Sequence, residues 1–203
     1  IVGTKLREFA DPADWRTLWL SPGRNAGSNF RNGRSPILVI EADEWNGSFW
    51  KYSPAIAVVT NIDKEHLDFY KTEQGVRSAF KKFLLRTRPG GHIVLNADDA
   101  ASRYLAAALR KKYPRRFKNR IHAYSLTDRK TPMVRSVLRL PGMHNASNAM
   151  AAYTVGRALN IPDEVVERVF SQFEGGWRRF EPIGKLNGAL VIADYAHHPT
   201  EVQ

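Results

Sequence analysis

The sequence predicts an α/β fold, a mostly parallel sheet flanked by helices, and three observations carry that prediction. Four short apolar runs punctuate the chain: PILVIEAD (36–43), AIAVVTNI (55–62), HIVLNADD (92–99) and ALVIADYA (189–196). They are rich in Val and Ile and unbroken rather than alternating, as strands covered on both faces are. Helical patterns separate or follow several of them, the order expected of a parallel sheet. Each run also ends in polar residues: Glu41 with Asp43, Thr60 with Asn61, Asn96 with Asp98, and Asp194. Open α/β sheets bind ligands beyond the carboxyl ends of their strands, so these ends are expected to rim a crevice.

Taken in order, residues 1–35 show no clear element. WRTLW is weakly amphipathic, and NAGSNFRNGRS (25–35) has the composition of a loop. The first run closes on EADEWNGSF (41–49), three acids in four positions. Unpaired buried carboxylates are costly, so Glu41, Asp43 and Glu44 need a partner, a metal or water. EQGVRSAFKKFLLR (73–86) predicts a helix with Val76, Phe80, Phe83 and Leu84 on one face. SRYLAAALRKKY predicts another after Asp99, and SLTDRKTPMVR (125–135) reads as a connecting loop. ASNAMAAYTVGRALN (146–160) aligns Ala149, Ala152, Val155 and Leu159. PDEVVERVFSQF (162–173) opens with Pro at a first helical position and turns Val165, Val166, Val169 and Phe173 inward.

Composition bounds the function. The 203 residues, 43% hydrophobic, suffice for one substantial core. No stretch of ~20 apolar residues spans a membrane, and IVGTKLREFA lacks the apolar centre of a signal peptide. The chain starts at Ile1 rather than Met, so a natural start further upstream is expected. Zero Cys excludes disulfides and thiolate metal sites and suits the cytoplasm. The net charge of +11 is densest in RKKYPRRFKNR (110–120). A solvated helix end explains that cluster, since Lys and Arg are favoured in a last turn. No nucleic-acid motif accompanies it, so nucleic acid is not expected as a partner, and without an apolar span neither is a membrane.

Four motifs carry chemistry. TNIDKEHLDFY (60–70) sets His66 just past a strand end: an exposed histidine alone, but beside Glu41 a ligand set for Mg²⁺ or Mn²⁺. LPGMHNASNAMAA (140–152) enters a helix through His144, Asn145 and Asn148. Asn is a good N-cap, while a helix N-terminus with two carboxamides also suits an anion or a base edge. GGWRRFEPIG (175–184) offers surface charge, or Arg179 as an anchor for ribose or phosphate. DYAHHPTEV (194–202) ends a strand with an acid and two histidines, without the HExxH spacing of a zinc hydrolase.

EADEWNGSF, TNIDKEHLDFY, LPGMHNASNAMAA, GGWRRFE and DYAHHPTEV, in that order, resemble the Mur ligases, the ATP-dependent amide-forming enzymes of peptidoglycan precursor synthesis. The resemblance covers roughly 27–203 and is strongest to the alanine-adding branch. It implies a central ATPase domain over 1–182 and the beginning of a C-terminal Rossmann-like domain over 183–203. No G-x-x-G-K-[ST] phosphate loop occurs; Gly3-Thr4-Lys5 is a poor substitute.

The resemblance also implies roles. Glu41 and His66 would be Mg²⁺ ligands, and His144, Asn145 and Asn148 would lie on the adenine side of the ATP site. Arg179 would contact ribose or phosphate. Asp194 and His197 match a D-x-x-H at the domain junction, and Asn61 lies where the muramyl substrate approaches. Asp43 and Glu44 are left to shape the turn and the surroundings of the metal. The implied reaction adds L-alanine to UDP-N-acetylmuramate through an acyl phosphate, with ATP and Mg²⁺, in the cytoplasm. Three alternatives stay open: a ligase recycling a murein tripeptide, a folylpolyglutamate synthase and a non-enzymatic basic domain binding nucleic acid.

Overall fold

The structure, a computed structural model, describes residues 37–176 and 179–196. They fall into two compact units: 42–173, and a second that takes 37–41 and the residues from 174 onward. The larger unit is built on a parallel three-stranded sheet in the order β1 (Ile56–Val59), β2 (His92–Asn96), β3 (Ile121–Tyr124). Val58 pairs with Val94 and Leu95 with Ala123.

Between the strands run α1 (Leu67–Tyr70), α2 (Glu73–Leu84), α3 (Ala100–Lys112) and α4 (Pro114–Phe117). Thr72 and Asp99 cap α2 and α3 by accepting hydrogen bonds from the Gly75 and Ser102 amides. After β3 follow α5 (Thr131–Val137), α6 (Met143–Ala158) and α7 (Asp163–Gln172).

Alternation along β2 divides the interior into two layers. Ile93 and Leu95 pack with Phe83 and Leu84 of α2 and Leu105 and Leu109 of α3. Val94, between them, packs with Met150 and Tyr153 of α6, Val134 of α5 and Phe170 of α7. Burying each such side chain is worth roughly 1.5–3 kcal/mol. These layers bear out the expected parallel sheet flanked by helices.

Particular elements differ from the sequence reading. The run 36–43 is not a strand: 37–44 joins no ladder, and Leu38 is 67% exposed. An apolar run becomes a strand only where a neighbour meets its N–H and C=O groups, which periodicity does not report. ALVIADYA is no buried parallel strand either. In the second unit, β4 (Glu181–Leu186) and β5 (Ala189–Ala193) form an antiparallel hairpin, with Leu190 56% exposed. Its turn is Asn187-Gly188, both at positive φ (49° and 85°), as two-residue hairpin turns require.

The loop expected at 125–135 contains the start of α5, with Pro132 in its first turn. In α7, Pro162 is the N-cap rather than the first helical residue, and Phe170 rather than Val169 is buried. In α6 the buried face runs through Ala149, Met150 and Tyr153, leaving Ala152 and Leu159 exposed.

Candidate functional site

The carboxyl edge of the parallel sheet gathers most of the chemistry in the larger unit. Beyond β1, the Thr60 hydroxyl donates to Asn61 Oδ1 at 3.1 Å, and Asn61 is exposed. The β1–α2 connection then carries His66, which adopts a left-handed conformation (φ 54°, ψ 39°) as the N-cap of α1. Its carbonyl accepts from the amides of Phe69 and Tyr70 at 3.0 and 2.9 Å, which fixes the backbone beneath the imidazole. His66 Nε2 lies 3.5 Å from Glu44 Oε1, and both side chains are partly buried. Ligand atoms of Glu44, Glu65 and His66 all fall within 4.8 Å of one another.

Local sequence explains how Glu44 reaches that place. The Asp43 carboxylate accepts from the Trp45 amide at 2.8 Å, and its carbonyl accepts from Phe49 at 2.9 Å. Asn46 and Gly47 take positive φ (52° and 68°), kinking the 3-10 segment Trp45–Lys51; a Cβ on Gly47 would meet the Trp50 ring at 2.5 Å. Phe49 then packs on Phe83 and edge-on to Phe80, and Trp50 Nε1 donates to the Ala79 carbonyl. The Tyr70 hydroxyl donates to the Glu44 carbonyl, and burial pushes that phenol above its ordinary pKa. Asp43 therefore shapes the turn as expected. Glu44 does more: its carboxylate faces His66.

The other strand ends divide between fastening and exposure. Asp98, after β2, accepts from Ser125 Oγ at 2.6 Å and from the Leu126 amide at 2.7 Å, tying the β2 and β3 ends together. Burial pushes the Tyr124 phenol up to about 12, and Tyr124 packs with Ala149 and Met150 of α6. The first half of α6 thus stands at the carboxyl end of β3. Its N-cap is Gly142, not an Asn, and Asn145 Nδ2 donates backward to the Pro141 carbonyl at 2.7 Å. His144 and Asn148, four residues apart on one helix face, are exposed.

In the second unit, Arg179 lies 5.9 Å from the Tyr195 ring, and the Phe180 amide donates to Asp194 Oδ2 at 2.7 Å. Arg179 and Asp194 are thus neighbours at the open end of the hairpin. Glu41 is exposed and belongs to this second unit, and His197 lies outside the described residues.

Residues 28–156 match the Mur ligase middle domain. This chain belongs to the Mur ligase family. The Mur ligase sequence is 37% identical over 194 residues to a UDP-N-acetylmuramate–L-alanine ligase of Desulforamulus reducens, covering 88% of the chain and 42% of that protein. It is 36% identical over 197 residues to the protein of the same name from Aquifex aeolicus, covering 89% and 43%. Among solved structures it resembles UDP-N-acetylmuramate-alanine ligase from Thermotoga maritima (TM-score 0.56, 24% identity, 77% of this chain and 38% of that one). It also resembles MurF from Acinetobacter baumannii (TM-score 0.58, 19% identity, 76% and 37%). The Mur ligase chain spans about two fifths of the length of these curated relatives.

Sequence reasoning sets Glu44 in the surroundings of the metal and Glu65 beside His66 in the chain, but singles out neither as converging on the imidazole. Only the acid in EADE three residues after Glu41 hinted at the first, and nothing in the linear pattern marked which acid of DKEH would turn toward the imidazole.

Proposed function

We propose that this Mur ligase chain is the ATP-handling centre of a ligase that joins L-alanine to UDP-N-acetylmuramate. The carboxylates of Glu44 and Glu65 converging on His66 at the sheet's carboxyl edge carry the reading. Two hard carboxylates and one imidazole suit Mg²⁺. His66, with Glu41 as the resemblance implies, would hold it, and Glu44 and Glu65 would supply the charge around it. Bound there, Mg²⁺ would offset negative charge among phosphate and carboxylate oxygens.

The remaining residues bind and orient. His144 and Asn148 present an imidazole and a carboxamide at the start of α6, where the helix dipole also favours a nucleotide. Arg179 and Asp194 would grip the ribose and phosphate side together with His197, and Asn61 would meet the muramyl substrate. Residues 1–182 would then belong to the central domain and 183–203 to the start of a C-terminal one. The terminal phosphoryl group of ATP passes to the lactyl carboxylate, and the amine of alanine displaces phosphate, leaving an amide and releasing a proton. Among the described residues no helix is long and apolar enough to cross a membrane, and the water-soluble substrates suit a cytoplasmic site.

The test is phosphate release by the intact ligase with ATP, Mg²⁺, UDP-N-acetylmuramate and L-alanine. Alanine-dependent release supports the reading; release that needs an alanyl tripeptide instead would move the chain to the recycling branch. The 203-residue chain alone is expected to melt cooperatively, because the sheet carries its own two-layer core, yet to release no phosphate above background without a phosphate loop. Robust turnover by the chain alone would show the catalytic residues to be misassigned.

A further inference from the structure

We propose that the amino edge of the β1–β2–β3 sheet is a docking surface for an anionic lipid bilayer. Residues 74–127 contain thirteen Lys and Arg against two Asp, while the rest of the chain balances eighteen against eighteen. The whole net charge of +11 therefore resides in this one stretch. Its two acids, Asp98 and Asp99, lie beyond β2 at the opposite edge.

Topology concentrates the cations. Helices α2 and α3 cross back between parallel strands, so their C-termini and the segments that follow reach the edge where β2 and β3 begin. Arg86, Arg88, Arg110, Lys111, Lys112, Arg115, Arg116, Lys118 and Arg120 all fall there.

These residues do two different jobs. Five arginines fasten the surface: Arg86 and Arg88 donate to the Tyr52 and Ser53 carbonyls, and Arg110 donates to that of Ile121. Arg116 reaches the Leu85 and Thr87 carbonyls, and Arg120 that of Gly90. The side chains of Lys111, Arg115 and Lys118 meet no partner among the described residues, and Lys112 meets only the Tyr113 ring at 5.6 Å. All four are exposed.

The chemistry selects the partner. Three of the four free groups are ammonium point charges, suited to a diffuse anionic surface rather than to bidentate phosphate reading. The aromatics interleaved with them are turned inward, Phe117 being 2% exposed and Tyr113 packed against the core, so no ring is offered for stacking on bases. The lack of an apolar span argues against a spanning segment only, since electrostatic adsorption does not need one. Docked this way, the protein would turn the carboxyl edge, with His66 and Asn148, away from the bilayer. The inference stands apart from the proposed reaction.

Each Lys or Arg held at an anionic bilayer strengthens partitioning by about fivefold. Sedimentation of the 203-residue chain with phosphatidylcholine vesicles, with and without phosphatidylglycerol, is the test. Binding is expected only to the anionic vesicles, with release at high salt. The quadruple variant Lys111→Gln, Lys112→Gln, Arg115→Gln, Lys118→Gln should bind more than about a hundredfold more weakly, and Arg135→Gln with Arg139→Gln within about twofold of wild type. Circular dichroism of each variant establishes that it is folded. If the quadruple variant does not fold, the salt and lipid dependence of the wild-type chain decides alone. Equal binding to neutral vesicles, no binding at all, undiminished binding of the folded quadruple variant, or tighter binding to duplex DNA at equal salt would each overturn the proposal.

Discussion

The two edges of the β1–β2–β3 sheet use polar side chains in opposite ways. At the carboxyl edge, Glu44, Glu65 and His66 point at one another across less than 4.8 Å, and His144 and Asn148 stand exposed on one helix face. At the amino edge nearly every arginine reaches a backbone carbonyl left over at a helix end or loop. Neighbouring carboxylates repel one another and gain from a cation between them, whereas a guanidinium on a carbonyl is already hydrogen-bonded. One edge gathers two acids and an imidazole around a point, and the other turns five arginines onto its own backbone and leaves Lys111, Lys112, Arg115 and Lys118 exposed.

The sharpest way to break this contrast is to remove the imidazole. His66→Ala in the intact ligase is expected to lower alanine-dependent phosphate release by more than about a hundredfold, and Glu41→Ala comparably. Glu44→Gln keeps the shape but not the charge and should cost about tenfold, partly restored by higher Mg²⁺. Wild-type turnover by either alanine variant at limiting Mg²⁺ would remove it from the proposed site. Thermal melting should hardly move for these residues.

At the amino edge the ranking reverses, with stability affected and turnover spared. Arg116→Ala frees two carbonyls, one of them on the buried Thr87, and should destabilise by about 2 kcal/mol in denaturant unfolding. Arg115→Ala, its exposed neighbour without a partner, should change stability by less than about 0.5 kcal/mol. Equal effects from the two would mean that the clasp seen for Arg116 does not hold the edge. A smaller effect is expected from Asn148→Ala: about tenfold weaker ATP binding in the intact ligase, with the affinity for the muramyl substrate unchanged.

How far the sequence reached follows the same division. The β1 and β2 runs were legible because buried parallel strands are unbroken Val and Ile, and Asp99 marked the start of α3. Strand β3 was not, since IHAY is four residues long with a histidine in it, and only pairing with β2 makes it a strand. The Asn187-Gly188 turn was written in the sequence and overlooked beside the apolar pull of ALVIA. His66, His144 and Asn148 were found as residues, but their surroundings depend on which way a kinked turn points its acids. That direction is set by Phe49 and Trp50 packing on α2, a tertiary fact.

The smallest predicted effect lies on the sheet itself, where β2 and β3 each place one partly buried histidine. His92 Nδ1 and His122 Nε2 are 2.8 Å apart, so one must donate and the other accept, and Arg120 Nη1 stands 3.3 Å from His92 Nε2. Burial, with Arg120 nearby, holds His92 below the ordinary histidine value of 6.5. Burial also lowers His122, helped by His92, Arg120 and Arg110. Because both folded-state values are depressed, the unfolded chain takes up protons first as pH falls. The neutral pair therefore contributes stability that is fully present above 6.5 and is lost as pH drops from there through the folded-state values. Asp163 and Glu73, whose carboxyls are also held low by their Lys partners, lose their contribution only further down, below the ordinary carboxylate range. A melting temperature that declines as pH is lowered from 7 toward 5 is thus a histidine effect. In His92→Gln, which keeps a hydrogen-bonding side chain without a titrating ring, the decline should shrink. An unchanged decline in that variant would show that the pair is not its source.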